Sequence, residues 1–244
     1  MREDGGGEQK AKTIPQNGDL TFFSGGASAS EHPSPRQPPI GERQEGKPSV
    51  TVFNDRTTPM SLLLSRRSGK ARDMIAPGPD EAQLRRILSA AARVPDHGKL
   101  APWRFVIVPE SERGALGEAL DAIYLAEKPD AGRIEREAIR DFARQAPTLV
   151  VTLFRPKPES HIPLAEQAAS AAAATMTLAH AAHAEGFVSC WLTGWAAYSE
   201  SVTRLFGEPG DSIVGFMFLG TPGKPLEERP RPDLEDVVSV WSAG

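Results

Sequence analysis

Three short stretches carry the side chains that could do chemistry. The first is Arg66-Arg67-Ser68. A guanidinium fork beside a hydroxyl offers convergent donors to a dianionic phosphate. The simpler reading is that cations at a helix C-terminus complement its dipole, at about 0.3–1 kcal/mol each. The second is "ARVPDHGKLAPWRF", residues 92–105, where Pro95, Gly98 and Pro102 break the backbone of a connector that also holds Arg93 and His97. It is either an ordinary polar turn, with His97 capping or solvated, or a loop shaped for a charged planar ligand. In the second case His97 can donate to a ligand carbonyl or ring nitrogen. The third is "GFVSCWLTGW", residues 186–195. Trp191 suits a core, but Thr193 and Gly194 at a strand end also suit a flat ligand lying against backbone.

Other familiar chemistries find no complete set of groups. No Ser, His and carboxylate fall in an order that suggests a triad. His180, His183 and Glu185 cluster on one helix, but further ligands at metal spacing are missing. Cys190 is the only cysteine, which excludes an intrachain disulfide, and its apolar strand makes it a small core residue. Neither G-x-G-x-x-G after a strand nor G-x-x-x-x-G-K-[ST] occurs, so any nucleotide cofactor is held by other means.

The elements that must position these groups follow from periodicity. The chain has 244 residues, 39% of them hydrophobic, enough for one domain with a substantial core. Its 28 basic and 32 acidic residues leave a net charge of −4, which gives no footing for nucleic acid. No apolar run is long enough to cross a bilayer, and the early acids suit neither a secretory nor a mitochondrial leader. A reducing, cytoplasmic setting is expected. Residues 1–49 read as a disordered tail, since positions 1–48 include 8 Gly and 6 Pro. The folded domain is expected over 50–244.

Within that domain Thr58 and Pro59 open a first helix, with Thr58 as N-cap. Asp80 and Gln83 open a second through a capping box, and Leu84, Ile87, Leu88 and Ala91 share its apolar face. Strands are expected at 103–108, 148–154, 188–193 and 213–220. Helices are expected at about 111–128, 133–145 and 199–206. A long Ala-rich helix precedes Gly186, which closes it from a C′-like position. A last apolar run, "VVSVW" at 237–241, reads as a strand sent away from its neighbours. The fold class is α+β.

In order, "RRSGKARDM", "ILSAAARVPDHGKLAPWRFVIV", "EGFVSCWLTG" and "VGFMFLGTP" resemble the nitroreductase-like flavoproteins, in the small YdjA-type branch. The resemblance covers about residues 58–241. It implies a nitroreductase fold with a mixed central sheet flanked by helices, FMN as cofactor and NADH or NADPH as reductant. It also implies a domain-swapped homodimer with FMN shared between subunits, and places "VVSVW" in an arm crossing to the partner. Arg66, Arg67 and Ser68 match phosphate-side positions, and Arg93 and His97 match positions that reach the flavin from the partner subunit. Trp191, Leu192 and Thr193 match the strand end beside the flavin. Ala181, Ala182, His183, Ala184, Glu185 and Gly186 match a stretch assigned to the nicotinamide nucleotide. Leu192 stands where this branch commonly has Arg. The implied activity is reduction of nitroaromatic, quinone or similar small-molecule acceptors. Because the flavin performs the hydride chemistry, no catalytic side chain is required. Two alternatives are an FMN-dependent dehydrogenase of a biosynthetic intermediate and a flavin-binding interaction module without turnover.

Overall fold

The computed structural model of the chain describes residues 52–243. The tail assigned to residues 1–49 lies outside the described residues. From residue 52 on, the order of elements is α1 (Pro59–Ser65), β1 (Met74–Ile75), α2 (Glu81–Ala91), β2 (Trp103–Val108), α3 (Arg113–Glu127) and α4 (Arg133–Phe142). Then come β3 (Thr148–Phe154), α5 (Leu164–Ala184), β4 (Val188–Leu192), α6 (Trp195–Tyr198), α7 (Glu200–Thr203), β5 (Ser212–Pro222) and α8 (Leu234–Val237).

The local signals read from sequence close as expected. Thr58 caps α1, its side chain accepting from the Ser61 N–H, and Pro59 takes the first helical position. Asp80 and Gln83 exchange both capping-box bonds at the start of α2. At the end of α5, Gly186 has φ +98°. Its N–H donates to the His183 carbonyl and that of Phe187 to the Ala182 carbonyl, a Schellman closure that a side-chain-bearing residue would strain.

The five strands form one sheet. β5 is its axis: it pairs with β3 along one side, with β4, and through its last two residues with β1, while β2 extends the sheet from β3. Every pairing is antiparallel. This corrects the expected mixed sheet: β3 and β4 run in the same direction, joined by the α5 crossover, but β5 lies between them and is antiparallel to both. β1 is an addition, since two residues are too few to carry an alternation readable from sequence.

Both faces of the sheet are covered. Leu149, Val151, Leu153, Phe216 and Phe218 pack with Leu116 and Leu120 of α3 and with Ala196 and Ala197 of α6. On the opposite face Val150, Met217 and Leu219 pack with Leu178 and Ala182 of α5 and Ile87 and Ala91 of α2. The small residues of α5 let it lie close to the sheet. Among the described residues no helix is long and apolar enough to cross a membrane.

The expected strand at 237–241 is not formed. Residues 234–237 make the short α8, and Val238–Trp241 pair with no strand among the described residues. A strand needs a free edge to pair with, and this segment meets none within its own chain. Val240 and Trp241 are left 93% and 86% exposed.

One ion cluster ties the helical pair that covers the first face. Asp121 of α3 is buried and accepts from Arg136 through both oxygens, at 2.9 and 2.8 Å, and from Arg140 at 2.5 Å. These hydrogen bonds, Arg136's first, hold the carboxyl below the ordinary aspartate range. A lowered folded-state pKa stabilises the fold above the unfolded value and is lost as pH falls through the folded one. Asp121→Asn is therefore expected to lower Tm at neutral pH. The gap to wild type should close as pH drops below about 4, a trend that melting curves across pH would check.

Candidate functional site

The turn after α1 begins the site. At Arg66 the chain leaves helical geometry with ψ 126°, and residues 66–70 run extended toward β1. Arg66 Nη1 donates to Ser68 Oγ at 3.0 Å, so the guanidinium and the hydroxyl converge as the sequence suggested. Arg67 points elsewhere. It is buried, and its Nε donates to the Glu227 carbonyl while Nη1 donates to the Ser68 carbonyl. Asn54 grips its backbone from both sides, at 2.8 and 3.2 Å. Arg67 thus fastens the segment after β5 to the turn after α1. Arg231 adds a bond to the Arg66 carbonyl at 3.3 Å, and Lys70 pairs with Glu227 at 3.7 Å.

Between that turn, β4 and the middle of α5 lies a cleft of about 630 Å³. Its walls carry six basic side chains, Arg66, Arg67, Lys70, Arg72, Arg229 and Arg231, and no acidic one. Burial, then Arg231 and Arg67, push the Arg66 guanidinium below its ordinary value. Burial, then Arg229 and Arg231, do the same to Arg67. Cations crowded against one another in a half-buried cleft are relieved by an anion. Lys70, Arg72, Arg229 and Arg231 were not singled out from the sequence. The last two reach the cleft only because the connector after β5 folds back by more than 150 residues, which no local pattern reports.

Trp191 and Leu192 both form part of the cleft wall, and they pack against opposite cores from the two faces of β4. Trp191 lies over Gly215 of β5, where an added Cβ would stand 2.0 Å from the indole Nε1, and that Nε1 donates to the Val214 carbonyl at 3.1 Å. Beyond Trp191 and Leu192 the strand end opens into a second, apolar pocket of about 460 Å³, walled by Leu120, Ile139, Phe142 and Trp195. Thr193 and Gly194 are exposed at its rim, Gly194 with φ +73°. A cationic cleft and an apolar pocket therefore share one wall. That arrangement matches a ligand with a phosphate at one end and a flat ring at the other.

The remaining predicted residues stand apart. His97 is exposed and its Nδ1 lies 2.7 Å from Glu166 Oε2. Glu166 sits in the first turn of α5, whereas Ala179 lines the cleft 13 residues later, roughly 20 Å along the helix. Arg93 follows the end of α2 and is exposed. Within one chain, neither Arg93 nor His97 meets Arg66. In the stretch 181–186, Ala182 and His183 are buried, while Ala184 and Gly186 are exposed. Glu185 accepts from Arg86 at 2.7 and 3.0 Å. Burial, with Arg66 and His180 adding to it, pushes the His183 imidazole down to about 3. Cys190 is half-buried, and burial pushes its thiol up.

The sequence profile of the nitroreductase family matches residues 63–221, which spans both the Arg66–Ser68 turn and the Trp191–Thr193 strand end. The chain belongs to the nitroreductase family. It is 36% identical over 168 residues to the Escherichia coli protein named "Putative NAD(P)H nitroreductase YdjA", covering 67% of this chain and 87% of that one. A nitroreductase-like family protein from Bacillus cereus superposes with a TM-score of 0.64 at 21% identity, over 77% of this chain and 97% of its own. The NADPH:FMN oxidoreductase of Vibrio harveyi, solved with NAD+, superposes with a TM-score of 0.58 at 18% identity, over 76% of this chain and 78% of its own.

The ring of Trp191 can stay where it is only while position 215 has no side chain. Gly215→Ala is expected to displace it and to cost about 1–3 kcal/mol of stability, as overpacking typically does. Denaturant unfolding would give the loss, and tryptophan fluorescence would report the displaced ring.

Proposed function

We infer that the chain is a cytoplasmic, FMN-dependent NAD(P)H oxidoreductase that reduces nitroaromatic, quinone or similar electrophilic acceptors in alternating half-reactions. The observation that carries this reading is the shared wall, with six cations on one side and an apolar pocket on the other, in a member of the nitroreductase family. The names of the Escherichia coli and Vibrio harveyi proteins support the cofactor and the reductant.

The residues present fit FMN. Arg66 and Ser68, already converged, would hold the phosphate, with Arg229 closing from the connector after β5. Trp191 would set the plane on which the ring rests. Thr193 and Gly194 leave backbone exposed at its edge, and Leu192, in place of a cation, leaves only backbone to bond there. When bound, FMN supplies hydride acceptance from NAD(P)H and hydride donation to the acceptor. The chain's part is to anchor, orient and exclude water, so no side-chain nucleophile is needed. The exposed part of the 181–186 stretch would meet the nicotinamide nucleotide.

A homodimer completes the reading. Arg93 and His97 stand apart from the cleft of their own chain, and this reading assigns those of a second copy to it. The exposed Val237, Val238, Val240 and Trp241 form an apolar segment with no cover in one chain, which suits an arm laid on a partner.

Purified protein is expected to be yellow and to bleach anaerobically with NADPH or NADH. Colourless protein that cannot be reconstituted with FMN would sink the reading. Arg66→Ala should weaken FMN binding at least tenfold, since hydrogen bonds to charged groups contribute about 1.5–3 kcal/mol. A mixed dimer with His97→Ala on one chain and Arg66→Ala on the other tests the sharing. One intact site and one doubly damaged site support it, whereas two equally weakened sites would place both residues in the same chain's cleft.

A further inference from the structure

One buried polar pair, with Ser189 in the cleft wall, stands outside the donor set of the turn after α1. His183 of α5 is fully buried, and its Nε2 lies 3.0 Å from the Oγ of Ser189 on β4. Its Nδ1 is buried without a partner among the described residues. Together these two facts select the tautomer. A neutral imidazole carries one N–H, and a buried N–H with no acceptor is rarer and costlier than a bare acceptor nitrogen. The hydrogen therefore sits on Nε2 and is donated to Ser189 Oγ, leaving Nδ1 as the empty acceptor. With its pKa held at about 3, the ring stays neutral in this form throughout the physiological range.

Ser189 Oγ then receives a hydrogen bond from the core and still has its own hydrogen to give. It makes no other side-chain hydrogen bond among the described residues. Ser189 is a wall residue of the same cleft as Arg66 and Ser68, and strand alternation puts it on the face of β4 that carries Trp191. The opposite tautomer would have Ser189 donate inward and offer the cleft only lone pairs, which cannot donate to a ligand oxygen.

The geometry points to Ser189 as a further cofactor-binding residue, whose hydroxyl donates to an acceptor oxygen of the bound flavin nucleotide, with His183 as the positioning residue that turns it toward the cleft. This rests on FMN being the ligand. It extends the donor set from the turn after α1 to the strand beneath the cleft, and it explains a polar pair between α5 and β4 that apolar residues could fill.

The test is titration of FMN and of riboflavin into wild-type and Ser189→Ala apo-protein, with Tm recorded for each apo-protein. Loss of one donor is expected to weaken FMN binding about tenfold. Loss confined to FMN assigns the oxygen to the phosphate, and equal loss with riboflavin assigns it to the ring or ribityl chain. Unchanged FMN affinity in folded Ser189→Ala overturns the proposal and leaves the pair structural, even if Tm falls. Should that variant not fold, nitrogen-15 NMR of the wild-type imidazole decides: hydrogen on Nε2 supports the proposal, and hydrogen on Nδ1 overturns it. Wild-type protein that binds no FMN would overturn the flavin reading itself, a failure visible before any variant is made.

Discussion

β5 bonds to three other strands, and each part of the site hangs from one of those bonds or from its ends. β1, which follows the Arg66–Arg72 turn, is registered on Thr221 and Pro222. β4, which carries Ser189 and Trp191, is registered on Phe216–Gly220. The connector bearing Arg229 and Arg231 leaves from the C-terminal end of β5. Side chains in a strand alternate between faces, so a slip of one residue in the β4–β5 pairing would turn Trp191 and Ser189 away from the cleft. The buried run from Gly215 to Gly220 resists such a slip, because Phe216 and Phe218 belong to one core and Met217 and Leu219 to the other.

The same framework lets like charges accumulate. Cations of the cleft wall repel each other and lose hydration, yet two of them are held in place. Arg67 is clamped by Asn54 and by the Glu227 carbonyl, and Arg231 is tied to the Arg66 backbone. Glu227 and Glu228 temper the charge from outside the cleft without entering it.

What the sequence disclosed was what is local. The capping box at Asp80 and Gln83, the Thr58–Pro59 helix start and the Gly186 closure each lie within a few residues, and each formed as read. Arg66, Ser68 and Trp191 were also legible, since a guanidinium beside a hydroxyl and an aromatic at a strand end announce themselves by type. Arg67 was not separable from Arg66 by pattern, because its burial depends on Glu227, 160 residues away. Arg229 and Arg231 were hidden for the same reason, in a Pro-rich connector with no periodicity. The antiparallel sense of the sheet and the unpaired "VVSVW" segment depend on which edges are free, and periodicity within a strand does not encode that.

The bond from Arg67 to the Glu227 carbonyl also orders events in time. The chain is made from its N-terminus, so the Arg66–Ser68 turn emerges long before the segment that completes the cationic wall. β1 and β4 have no β5 to pair with until residues 212–222 have left the ribosome, and Arg67 has no carbonyl to bond until Glu227 follows. The cleft is thus one of the last features to come into being during synthesis. A truncated chain would lose Arg229 and Arg231 from the cationic wall even with every residue of the first turn intact.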